Sequence, residues 1–147
     1  MQLWWLMVLW LIGMIHYNIY YRPYDWEIEV YILLKDCYVS KIIESLEHCS
    51  QSEIQKAFLN LTTRINSGFV KTHGHKSIVV INKPINLEEF VNIYNHEKNH
   101  LEMHICEELN IDPHSEEAAV LSGTLAKCLF SSLVDELLIY YTNLHTN

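Results

Sequence analysis

The stretch Tyr94–Leu121, YNHEKNHLEMHICEELNIDPHSEEAAVL, contains the run His96-Glu97-Lys98-Asn99-His100, an HExxH pattern. On an α-helix, residues four apart lie one above the other on one face, so His96 and His100 can both turn a ring nitrogen to a single ion at roughly 2.0–2.1 Å. Glu97, one step round the helix, is then placed to touch a water on that ion rather than the ion itself. The chemistry implied is hydrolysis of a peptide or amide bond by a zinc-activated water, with Glu97 as general base. A chain with nine histidines also spells this pattern by chance on a polar helix, and that reading stands beside the chemical one.

A catalytic zinc needs a third protein ligand and one position left for water. The longer pattern HExxHxxGxxH would supply a histidine, but its Gly and final His positions hold Met103 and Cys106 here, so that route is closed. The other solution takes a glutamate from the next helix, and HSEEAAVLSG offers Glu116 and Glu117 in a first turn. Acidic residues at a helix start also suit the helix dipole without any metal, and the choice between the two glutamates stays open. His104 continues the His96 and His100 face, but the helix rise carries it too far to share the same ion well, so it reads as a surface or supporting histidine. His73 and His75 flank Gly74 and read as exposed turn residues.

The elements that must hold these residues follow from periodicity. DWEIEVYILL alternates Trp26, Ile28, Val30 and Ile32 against Glu27, Glu29 and Tyr31, which predicts a strand over 26–34 with one buried face. Between Val39 and Thr63 the period becomes helical, and Ser50 with Glu53 three residues later makes a capping-box start, so two short helices are expected. β-branched runs on either side of Gly74 predict a hairpin with strands at 68–72 and 76–82. Asn86 is an N-cap, with Glu89 placed to reach back to it, for a helix over 87–109 that Pro113 cannot continue. Ser115 caps a last, largely apolar helix from Glu116 to about Tyr141. The HExxH run thus lies inside a predicted helix, after a hairpin and before a carboxylate-bearing helix start, a context that a chance match does not usually have.

With 147 residues the chain is long enough for a real core and too short for an elaborate two-lobed enzyme. A formal charge of -8 with ten scattered Lys and Arg argues against nucleic acid as a partner. Cys37, Cys49, Cys106 and Cys128 form no CxxC pair and read as buried thiols of a reducing compartment, which places the domain in the cytoplasm. Residues 1–24 stand apart. MQLWWLMVLWLIGMI is almost wholly apolar, no charge precedes Arg22, and Tyr17, Tyr20, Tyr21, Tyr24 and Trp26 follow like an interfacial belt. The strict apolar run falls short of the roughly 20 residues that span a bilayer and reaches that length only with residues 16–21 included. A membrane anchor through residues 1–21 is the leading expectation; a helix docked on the protein and a start codon assigned too far upstream are the alternatives. Residues 25–147 are expected to form a single domain.

With these elements around it, NHEKNHLEMHICEELNIDPHSEEAAVLSG resembles a group of small uncharacterised HExxH proteins of bacterial and phage or mobile-element origin, similar to minimal zincins of the glutamate-ligand type. The resemblance covers roughly Ser77 to Lys127: His96, Glu97 and His100 match directly, and Glu116 falls in the ligand place of a Glu-x-x-Ala run. Val120 departs from it by standing where an aromatic is usual, as does a second glutamate at 117, and the apolar N-terminus has no counterpart. The resemblance implies an α+β, minimal zincin-like domain, with a small antiparallel sheet packed on the HExxH helix and a long C-terminal helix. It further implies one Zn2+ per chain held by His96, His100 and Glu116, and a metallopeptidase acting on a peptide or protein substrate held along the edge of strand Ser77 to Asn82. An inactive zincin-like metal- or partner-binding module, and a membrane-anchored accessory protein with an accidental HExxH, are the other function classes. Substrate and oligomeric state are not written in the sequence.

Overall fold

The structure, a computed structural model, describes residues 3–9, 13–34, 42, 49–63, 68–82 and 84–144. They fall into two units, Met1–Pro84 and Ile85–Asn147, and the class is α+β.

The first unit is built on five strands, β1 (Leu3–Leu9), β2 (Met14–Tyr21), β3 (Trp26–Leu33), β4 (Gly68–His73) and β5 (Lys76–Asn82), in the sheet order β1-β2-β3-β5-β4. The two-residue period decides the register. Ile15, Tyr17, Ile19 and Tyr21 of β2 stand opposite Ile32, Val30, Ile28 and Trp26 of β3, and all eight are buried. One face of the sheet is therefore a continuous apolar surface, each large side chain contributing about 1.5–3 kcal/mol by leaving water. In β5 every residue from Ser77 to Asn82 is buried, the pattern of a strand covered on both faces. Gly13 and Gly74 turn the chain between β1 and β2 and between β4 and β5 at φ 74° and 55°, a region costly for residues with a Cβ.

The sheet is mixed, which corrects the expected antiparallel sheet: β3 and β5 run parallel, from Glu27 opposite Lys76 to Leu33 opposite Asn82. The long connection from Leu33 takes the chain to β4 at the far edge, and the tight hairpin then returns β5 into the gap beside β3. The same placement corrects the expected peptide-binding edge. β5 is paired on both sides, so the strand Ser77 to Asn82 offers no free edge, and the sheet ends instead at β1 and β4.

Helix α1 (Gln51–Thr63) starts as its capping box predicts: Glu53 N–H donates to Ser50 Oγ at 3.3 Å, and Ser50 N–H donates to Glu53 Oε2 at 2.8 Å. Lys71 of β4 ties itself to the same carboxylate, and together these contacts hold Glu53 down at about 2. Ala57 of α1 packs with Cys49, Met14 and Phe69 against the cluster of Tyr31, Leu33, Ile42, Ile78 and Val80. Most of the first of the two expected short helices lies outside the described residues; Ile42 is helical and buried.

Within the expected N-terminal segment, residues 3–9 and 14–21 are strands. The proposed boundary at residue 24 falls between two paired strands, because β2 is hydrogen-bonded to β3 from Met14–Leu33 to Tyr21–Trp26. No described helix is long and apolar enough to cross a membrane.

The second unit consists of α2 (Leu87–Leu109) and α3 (Glu116–Leu144), the latter three residues longer than its apolar pattern predicts. Asn86 Oδ1 accepts from Glu89 N–H at 2.8 Å, and the Glu89 carboxylate reaches back to the N–H of Ile85. At the other end Asn110 adopts the left-handed conformation (φ 54°), and Ile111 N–H donates to Cys106 O at 2.9 Å, closing α2 before Pro113. Ser115 Oγ accepts from Ala118 N–H at 3.2 Å and starts α3.

Candidate metal centre

Phe90, Ile93, Tyr94, Glu97, Lys98, Leu101 and Ile105 form the buried stripe of α2, and their three- and four-residue spacing follows the helical period. His96 and His100 sit beside this stripe, His96 exposed and His100 partly so. Their Nε2 atoms approach to 3.1 Å, with the rings at 82° to one another. At that distance one neutral imidazole can donate to the other. The same separation suits a shared ion: two nitrogens 3.1 Å apart, each about 2.0–2.1 Å from a zinc, subtend roughly 100° at it, close to a tetrahedral angle.

Glu97 is 3% exposed, and desolvation by its surroundings raises its carboxyl to about 7. A carboxylate kept this dry holds its proton more readily than one in water, and a cation on the neighbouring histidines would draw the value down again. Two ring nitrogens thus converge on the exposed side of α2, and a desolvated carboxyl stands between them in sequence.

The third expected ligand is not brought to this pair. Glu116 and Glu117 are exposed in the first turn of α3, and among the described residues no three His, Cys, Asp or Glu side chains stand close enough to hold a metal ion. The packing of the helices supplies the reason. Tyr94 OH donates to Ala126 O at 3.2 Å and Lys98 Nζ donates to Ser122 Oγ at 2.9 Å, so α3 runs antiparallel along the Tyr94 and Lys98 side of α2. With about 100° per residue, that side lies about 120–160° around the helix axis from His96 and His100. Glu117 instead lies near Cys106, whose thiol is pushed up by burial and then by Glu102, Glu117 and Glu107.

No protein-family model, no curated protein and no solved structure matches this chain. The site must be read from its own geometry.

Two polar clusters were missed by the sequence reading. Lys98, buried next to Glu97, bridges Ser122 of α3 and Glu102 one turn along at 3.4 Å. The four-residue spacing of Lys98 and Glu102 was visible in the sequence, while the contact across to Ser122 depends on the helix pairing. On the sheet, His16 of β2 stacks on Tyr31 of β3 with centroids 4.2 Å apart, and its Nε2 stands 3.4 Å from Glu29 Oε1. Tyr31 OH donates to the same oxygen at 3.1 Å, and Lys76 Nζ stands 3.6 Å from Glu29 Oε2. These contacts, led by that of His16, hold the Glu29 carboxyl below its usual range against the opposing effect of burial. Of the cysteines, Cys49, Cys106 and Cys128 are free thiols, only Cys106 being fully buried, and Cys37 lies outside the described residues.

Proposed function

We propose that this chain is a zinc-dependent hydrolase, a minimal zincin-like metallopeptidase in which His96 and His100 bind the ion and Glu97 is the general base. The observation that carries this reading is the convergence of the two Nε2 atoms to 3.1 Å on the solvent side of α2. Glu116, with Glu117 beside it, is the candidate third ligand, and it would reach the ion only if the first turn of α3 moved round α2. A bound zinc supplies Lewis acidity, lowering the pKa of a water on it to about 7 and polarising a substrate carbonyl. With zinc held there, Glu97 would be the group of this chain that takes a proton from water on a carboxylate oxygen and returns it to the leaving amine. Its burial keeps competing water from the carboxylate, and its place in the α2 backbone fixes it relative to both histidines.

The test is hydrolysis of a mixed peptide library by the zinc-loaded full chain and by Glu97→Gln. Cleavage by the parent that falls by about 10²–10⁴ in Glu97→Gln, with zinc content unchanged, supports the assignment. Equal cleavage by the two proteins, or none by a fully zinc-loaded parent across the library, contradicts it.

A further inference from the structure

We draw no further inference here: the strongest candidate, the side-chain cluster of Lys98 and Ser122 between α2 and α3, carries no nucleophilic role, because Glu102 at 3.4 Å favours the charged ammonium over the neutral amine a base needs, and Ser122 lies beyond the first turn of α3, where the helix itself takes up the N–H groups that an oxyanion would require.

Discussion

Glu97 occupies a place in α2 that an ordinary surface helix would give to a leucine. Its neighbours at three- and four-residue spacing, Ile93, Tyr94 and Leu101, are buried with it, as is Phe90 two turns back. A carboxylate retained at such a position costs stability by desolvation, so Glu97→Leu is expected to stabilise the protein while abolishing hydrolysis. A rise in Tm with loss of activity would show it; a fall in Tm would mean that the carboxylate holds α2 in place. At Glu29 the sign is opposite. Its folded pKa is lowered by His16, Lys76 and Tyr31, so its contribution is present above the unfolded carboxylate range, near 4.3, and is lost as pH falls through the lower folded value. Stability should therefore decline on acidification below about pH 4 in the parent and less steeply in Glu29→Gln, which at neutral pH should be about 1 kcal/mol less stable. Urea unfolding across that range measures both.

At the scale of elements, local rules reached the structure and long-range pairing did not. Asn86, Ser115 and Ser50 with Glu53 are caps where the sequence places them, and α2 has the expected bounds because each end carries its own chemistry. The hairpin around Gly74 was legible for the same reason. That β5 lies beside β3 was not, since nothing local in SIVVIN names its partner; its unbroken apolar run was the available sign of burial on both faces. In MIHYNIYY, Ile15, Tyr17, Ile19 and Tyr21 alternate as a half-buried strand should, but a hydropathy window sees one long apolar segment and hides that period. The histidine pair was legible from its four-residue spacing, whereas the side of α2 that α3 covers depends on the Lys98 and Ser122 contact. Lys98→Met should keep the buried stem and lose that bridge, destabilising the protein by about 1–2 kcal/mol without changing its zinc content. Lost zinc binding in a folded Lys98→Met would give the lysine a part in the site.

For the molecule as a whole, β2 makes the N-terminal residues part of the fold. Removing residues 1–24 would expose the β2-facing edge of β3 and the apolar residues that Ile15, Tyr17 and Ile19 stand beside. A chain beginning at Asp25 is therefore expected to be insoluble or to unfold without a cooperative transition, which circular dichroism and solubility would report; a cooperative melt like that of the parent would show the sheet to be self-sufficient from β3 onward. Function tests accordingly belong on the full chain. The central claim, that this molecule is a metalloprotein through His96 and His100, is tested most directly by zinc analysis of the folded 147-residue chain after dialysis, beside Glu97→Gln and His96→Ala. The account predicts zinc in the parent and in Glu97→Gln, at one ion per chain, and none in a folded His96→Ala. A folded parent that holds no zinc after zinc is added, or a His96→Ala chain that holds as much as the parent, would contradict it.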